Sequence, residues 1–258
     1  MMLMTHPKPN DGFEWTQAAF GPVLRCRPLL EIAPHMFTTA AVQLRDDERE
    51  WTAVAADMGV DPPSVRLIRQ VHGRAVAVAR VGAAASADCA EADIIISDDS
   101  RVAVGVRVAD CAPILLADRI QGVVGAAHAG WRGAMQDVAG AAARAMRETF
   151  GSEPANLIAA IGPSLGSCCG EMGPEVVEEF RAAGHHEADI GRWFAPGPRG
   201  RPHFDLWLAN RDQLAGAGVP PGSIHLAALC TKCRPDIFHS YRAAGGSVGR
   251  MVGAIRPK

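Results

Sequence analysis

Three short segments carry side chains able to do chemistry together: Gln70-Val71-His72-Gly73, Ala109-Asp110-Cys111-Ala112-Pro113 and Ala127-His128-Ala129-Gly130-Trp131-Arg132-Gly133. Each follows or interrupts an apolar, strand-like run. That placement lets His72, Cys111 and His128 converge at the rim of a sheet. Two imidazoles and a thiolate suit Zn²⁺, which is tetrahedral and borderline-soft. Three protein ligands leave a fourth position for water or substrate, as in a catalytic rather than a closed structural site. Taken singly, these residues say less. A histidine in a polar turn is usually solvated, and a cysteine usually packs as a small hydrophobe. The long intervals between the three do not by themselves establish convergence.

The neighbours of these ligands suggest further roles. Asp110 could orient a ligand histidine or act as acid or base. Arg132 opens a helix expected over 133–150, so its guanidinium and the free helix N–H groups would make an anion site suited to phosphate. The competing chemistry uses Cys111 as a nucleophile with His128 as base, a cysteine hydrolase or amidase. Cys230-Thr231-Lys232-Cys233 is a further thiol pair, but a closed zinc site needs a second pair at suitable spacing. Cys168-Cys169 is vicinal and far upstream, which argues against one. His185-His186 reads as solvated. No Gly-x-Ser-x-Gly elbow is present.

Positioning these groups requires a mixed set of elements. Residues 1–35, broken by five prolines, read as irregular or edge structure. Helical spacing runs over 48–58, 174–183 and 206–216. Strand signals run over 65–68, 75–81, 92–97, 102–108, 114–117, 123–127, 157–161, 224–229 and 251–255. The Pro/Gly-rich stretch 195–202 reads as an exposed loop. Strands and helices mix irregularly, which predicts sheets covered by helices rather than a regular doubly wound repeat.

Composition sets the outer bounds. The 258 residues suffice for one large domain or two small ones, and 48% hydrophobic with 21% charged residues is ordinary for a globular chain. A net charge of −2 offers no general footprint for nucleic acid or an anionic membrane. The N-terminus lacks a signal-peptide pattern, and no apolar run reaches membrane-spanning length. Seven scattered cysteines then read as ligands or reactive thiols in a reducing cytoplasm.

Most of the chain from about residue 65 resembles the bacterial laccase-domain family, also called polyphenol oxidase-like or peptidoglycan-editing-factor-like proteins. The resemblance runs through the three segments above and Ala92-Asp93, Ile161-Gly162-Pro163 and Glu171. It continues through Phe204-Asp205-Leu206 with Asn210, Cys230-Thr231, Ser240-Tyr241-Arg242 and Gly249-Arg250. It implies a zinc-dependent purine nucleoside phosphorylase acting on adenosine, inosine and methylthioadenosine, with adenosine deaminase activity. It implies His72, Cys111 and His128 as ligands of zinc, with copper the alternative metal. A role as a cell-wall precursor editing factor is the rival within the same resemblance.

The implied fold is one α/β (mixed α+β) domain over residues 1–258, with layered sheets and helices similar to a bacterial-toxin cysteine-hydrolase fold. The implied partners are purine nucleosides and phosphate, without nucleic acid or membrane, for a monomer or homodimer. Phosphate would be held by Arg132 and Arg242, with Asp110 supplying proton transfer. A copper laccase fits less well, because a multicopper oxidase needs many more histidine ligands.

The chain departs from the family pattern in places that bear on substrate. Phe37-Thr38-Thr39 is followed by Ala40-Ala41 where an arginine is expected, leaving Arg45 as its substitute. Gly170 stands where an aromatic precedes Glu171, and Val108 where a threonine precedes Ala109-Asp110-Cys111.

Overall fold

The computed structural model describes residues 6–45, 47–80 and 91–258. The first part of the chain forms β1 (Phe13–Ala18), β2 (Gly21–Cys26), α1 (Arg27–Leu30), β3 (His35–Phe37), α2 (Glu48–Met58), β4 (Val65–Arg66) and β5 (Val76–Val78). The middle forms β6 (Ile94–Ser97), β7 (Ala103–Val108), β8 (Ala112–Asp118), β9 (Val124–Ala129), α3 (Trp131–Met135), α4 (Val138–Phe150) and β10 (Leu157–Ile161). The last part forms α5 (Pro174–Ala182), α6 (Glu187–Trp193), β11 (Phe194–Pro196), β12 (Pro202–Phe204), α7 (Leu206–Gly216), β13 (Ile224–Leu226), α8 (Tyr241–Ala244) and β14 (Met251–Ile255).

Two six-stranded sheets, ordered β1-β2-β3-β14-β7-β4 and β13-β10-β8-β9-β6-β5, carry the fold. Their central strands β7, β14, β8, β9 and β10 are buried on both faces, and period-2 alternation sorts each residue to one layer. From β7 and β14, Val104, Val106 and Ile255 meet Leu115, Val124, Ala126 and Ile158 of the second sheet in one cluster between the sheets. The opposite face of the first sheet, with Ala103, Val252 and Ala254, packs on Val54 and Met58 of α2. The opposite face of the second sheet, with Ile114, Leu116 and Ile161, packs on α4, α5 and α7 through Ala142, Met146, Phe180 and Leu214. The result is a mixed α/β stack: helix, sheet, sheet, helices. The Ala-rich face of α4 lets it sit close to β9, where Gly125 faces Met146.

The strongest sequence signals survive intact. α2, α7, β10 and β14 have the expected limits, and α2 is closed by Asp47, whose carboxylate accepts from the Arg49 amide, and by Gly59 in the left-handed region. Several expectations need correction. Within the stretch expected to be irregular or edge structure, residues 13–26 form the β1–β2 hairpin, with only β1 at an edge, and α1 follows directly. The expected helix over 133–150 is two helices, broken at Gln136 and Asp137, where Asp137 has φ 58°. The loop expected over 195–202 is shorter: residues 197–201 form the turn, with a 3-10 turn at Pro198–Gly200, and its two ends pair as β11 with β12. The strand expected over 224–229 ends at Leu226, and the one over 65–68 at Arg66. Of the strand expected over 75–81, residues 76–78 are β5 and Val81 lies outside the described residues. His185 is not solvated: its Nε2 pairs with the Met135 carbonyl at 2.7 Å, and its ring packs on Phe180 and Trp193. No helix among the described residues is long and apolar enough to cross a membrane.

One buried group on β3 makes stability sensitive to acid. His35 is fully buried; its Nε2 accepts the Cys26 amide at 2.9 Å while Nδ1 donates to the Ala33 carbonyl. Burial is the main cause that lowers its pKa to about 4. An unfolded chain takes up this proton near pH 6.5, whereas the folded one refuses it until about 4. Stability therefore falls as pH drops through that window. Between pH 7 and 4.5 the loss is on the order of 2–3 kcal/mol from this residue. His35→Gln, which keeps one donor and one acceptor without titrating, is expected to show a correspondingly smaller loss in denaturant titrations at the two pH values. An equal loss in both proteins would rule the residue out.

Candidate metal centre and its pocket

The chemistry-bearing residues meet at one end of the second sheet. Cys111 immediately precedes β8, which runs antiparallel to β9 with Pro113 opposite His128 and Ala112 opposite Ala129. β6 flanks β9 on its other side, with Ile94 opposite Ala127, and the His128 amide donates to the Asp93 carbonyl at 2.8 Å. The start of β8, the end of β9 and the start of β6 thus coincide in space. His128 lies inside β9 rather than beyond its end. His72 comes from the turn that enters β5.

The donor atoms of His72, Cys111 and His128 all lie within 4.8 Å of one another. Cys111 Sγ is 3.9 Å from His72 Nε2, and the two imidazole rings meet edge-on with centroids 4.9 Å apart. Gly130 borders the same space. A Cβ there would lie 3.0 Å from Cys111 Sγ and 3.1 Å from His72 Cδ2, so a larger residue would crowd the donors.

A buried carboxylate organises this cluster, and it is Asp93. Its Oδ1 accepts from His128 Nδ1 at 2.8 Å and from the His72 amide at 3.0 Å. Its Oδ2 accepts from the Gly73 amide at 2.7 Å and the Val71 amide at 3.2 Å. The amide bonds hold His72 at φ 61°, a left-handed conformation that a non-glycine residue keeps only when its surroundings enforce it. The bond to Nδ1 fixes the His128 tautomer and leaves Nε2 for the cluster. Burial acts to raise the Asp93 pKa, but the His128 imidazole and the amide donors outweigh it and hold the carboxyl below its ordinary range. Burial likewise opposes charge on Cys111 and His128. Their mutual attraction, with hydrogen bonds from His72 and Asp93, prevails: Cys111 is drawn down to about 6 and His128 up to about 9. A thiolate is therefore present near neutral pH, the form that ligates metals.

Asp110 faces elsewhere. The expectation that it orients a ligand histidine is corrected by the bond between Asp93 and His128. Asp110 has φ 86°; its Oδ1 accepts from Thr231 Oγ1 at 2.6 Å and its Oδ2 from the Arg242 amide at 2.7 Å. It ties the turn before β8 to the segment that leads into α8.

The cluster opens into a cavity of about 1030 Å³, bordered by Arg45, Arg69, Arg107, Arg132, Arg242 and Arg250. Asp110 is the one carboxylate among the described residues that line it. The Arg132 guanidinium stacks on Trp131 with its carbon 4.2 Å from the ring centroid. α3 is a single short turn, so the break before α4 removes the long helix N-terminus expected beside Arg132. Arg242 Nη1 donates to the carbonyls of Glu171 at 2.6 Å and Cys169 at 3.3 Å, which holds the side chain along the wall. Arg45 does reach the pocket and donates to Ser247 Oγ at 3.0 Å. Trp131, Met172, Phe204 and Tyr241 supply apolar lining.

Sequence reasoning missed the role of Asp93. The available signal was an acid directly before the Ile94-Ile95-Ile96 run, where a buried charge is tolerated only when paired.

Comparison with known proteins gives these features a family. A family model described as multi-copper polyphenol oxidoreductase laccase matches residues 43–258. A purine nucleoside phosphorylase of Deinococcus radiodurans is 35% identical over 254 residues, 91% of this chain and 92% of that protein. A purine nucleoside phosphorylase of Bacteroides thetaiotaomicron is 35% identical over 163 residues, 63% of this chain and 60% of that protein. A protein named adenosine deaminase RL5, from an unknown prokaryote, is 36% identical over 212 residues, 80% of this chain and 79% of that protein. The crystal structure of YlmD from Geobacillus stearothermophilus superposes with a TM-score of 0.84 at 28% identity, covering 95% of this chain and 98% of that one. The residues matched and the shared layered architecture agree, and the chain belongs to the multi-copper polyphenol oxidoreductase laccase family.

Proposed function

We propose that this chain is a zinc-dependent purine nucleoside phosphorylase that takes adenosine, inosine and methylthioadenosine and also deaminates adenosine. The observation that carries the reading is the His72–Cys111–His128 cluster opening into a cavity bordered by six arginines and one carboxylate. Names of relatives point the same way. Two imidazoles and a thiolate fit zinc, and the Asp93 bond to His128 is the outer support that metal-ligating histidines need. Bound there, zinc would act as a Lewis acid toward a substrate oxygen.

The chain's own residues then bind and orient. The arginines concentrate phosphate, which attacks C1′ of the ribose as the C1′–N bond breaks and its electron pair leaves with the base. Arg132, pre-positioned by its stacking on Trp131, presents a planar fork to the phosphate. Arg242, held by the carbonyls of Glu171 and Cys169, borders the same cavity. Asp110 is a positioning residue in this reading, because its two oxygens hold Thr231 and the backbone that delivers Arg242. The apolar lining takes the base.

Metal analysis of the purified protein, combined with chromatography of adenosine turnover with and without phosphate, tests this reading. Zinc at the site, free base released only with phosphate, and loss of both on chelation are expected. Turnover that ignores phosphate and chelator would overturn it. Arg132→Ala is expected to raise the phosphate KM at least about tenfold, the value of one lost charge-assisted hydrogen bond. Zinc content and melting temperature should stay near wild type, and Arg132→Lys should recover only part of the loss. Joint loss of stability and metal would instead make Arg132 a structural brace.

One observation favours a second reading. Cys111, His128 and Asp93 form a thiolate–imidazole–carboxylate series, the arrangement of a cysteine hydrolase. His72 has no task in that mechanism, yet Asp93 spends a hydrogen bond on holding it.

A further inference from the structure

We propose that Cys168, Cys169, Cys230 and Cys233 form a second, structural zinc site, separate from the His72–Cys111–His128 cluster. The spacing of these cysteines argues against a closed site in the sequence, but the topology overrules the spacing. β10 and β13 run parallel, and the pairing continues past their ends as a parallel bridge between Ser164 and Cys230. The two segments leaving these strands therefore emerge side by side. The vicinal pair and the Cys-x-x-Cys, more than sixty residues apart, meet there.

The four sulfurs lie within 4.8 Å of one another. Cys233 Sγ is 3.5 Å from Cys168 Sγ and 3.6 Å from Cys169 Sγ. A tetrahedral ion with Zn–S bonds of about 2.3 Å requires sulfur–sulfur edges of about 3.8 Å. The same distances are far beyond a disulfide bond of about 2.05 Å. The 3-10 turn Ser167–Cys169 directs both vicinal thiols toward Cys233. Cys230 Sγ accepts the Gly166 amide at 3.3 Å and is also hydrogen-bonded by the Cys233 amide. Amide donors of this kind offset the negative charge of a ligating thiolate.

Four thiolates leave no open position, so the ion would hold structure rather than react. What it would hold is one wall of the cavity. The segment after Cys230 supplies Thr231, which bonds Asp110, and leads to Arg242, whose guanidinium bonds the Cys169 carbonyl. A metal clip across these two segments would keep Arg242 in place.

Zinc counted per chain by mass spectrometry, on protein purified under reducing conditions, tests the proposal. Wild type is expected to hold about two zinc ions. Cys168→Ser/Cys233→Ser, which alters only exposed positions, is expected to hold about one. His128→Ala is also expected to hold about one, so failure at either site is read independently. Cobalt reconstitution gives a second readout. Intense thiolate–cobalt absorption should persist in His128→Ala and vanish in the double serine variant once the first site is also removed. One zinc per chain in wild type that disappears in His128→Ala, or a Cys168–Cys233 disulfide found in the reduced preparation, would overturn the second site and leave the first standing.

Discussion

Cys111→Ser is expected to remove the metal from the His72–Cys111–His128 cluster and about 10³-fold of the nucleoside turnover in one step. The two losses should be inseparable. A serine hydroxyl stays protonated near neutral pH and is a poor ligand for a borderline-soft ion, whereas the Cys111 thiol is drawn down to about 6 by His128 and His72 against the opposing effect of burial. Lewis-acid catalysis is worth several kcal/mol, and at 1.36 kcal/mol per decade this amounts to about three decades of rate. His72→Ala gives the decisive contrast. In the metal reading it should behave like Cys111→Ser, because His72 is one of three donors. In the cysteine-hydrolase reading it should be nearly silent, since only Cys111, His128 and Asp93 take part. Thiol labelling adds an independent measure. Zinc should protect Cys111 from alkylation, and a chelator should expose it as activity falls. An active, metal-free Cys111 that forms an acyl-enzyme would replace the metal reading with the hydrolase.

How much of this arrangement is visible in the sequence depends on the range of the interaction. α2, α7, β10 and β14 were legible because period and capping are local properties. The break between α3 and α4 was not. No proline or glycine occupies Gln136 or Asp137, and Ala134, Met135 and Gln136 leading up to the break are good helix formers. The β11–β12 hairpin hid behind prolines that usually mark loops. At the site, the residue types of His72, Cys111 and His128 were readable because each adjoins or sits in a strand run. Their meeting is decided by strand order: β8, β9 and β6 are neighbours in one sheet, which no local pattern reveals. The four-cysteine cluster is the sharper case. Its spacing argues against a site, and the parallel pairing of β10 with β13 creates one.

Asp93→Asn is the second substitution with a large expected effect, and it separates positioning from ligation. Asp93 does not itself line the cavity, yet it satisfies four donors: His128 Nδ1 and the amides of Val71, His72 and Gly73. Asparagine keeps one acceptor oxygen and turns an NH₂ group toward donors that need an acceptor. Each buried donor left unsatisfied costs about 1–3 kcal/mol. The turn carrying His72 at φ 61° loses the bonds that enforce that conformation, and His128 loses the partner that fixes its tautomer. Changes at such outer-shell partners cost about 10–100-fold in metal affinity. The variant should therefore bind zinc that much more weakly in a chelator competition and unfold at lower temperature. Saturating zinc should restore part of its turnover, which it cannot do for Cys111→Ser. Imidazole NMR on the zinc-loaded variant should show His128 in mixed tautomers where wild type has one. Unchanged zinc affinity together with a single His128 tautomer would mean that the backbone alone preorganises the cluster and that Asp93 serves only the fold.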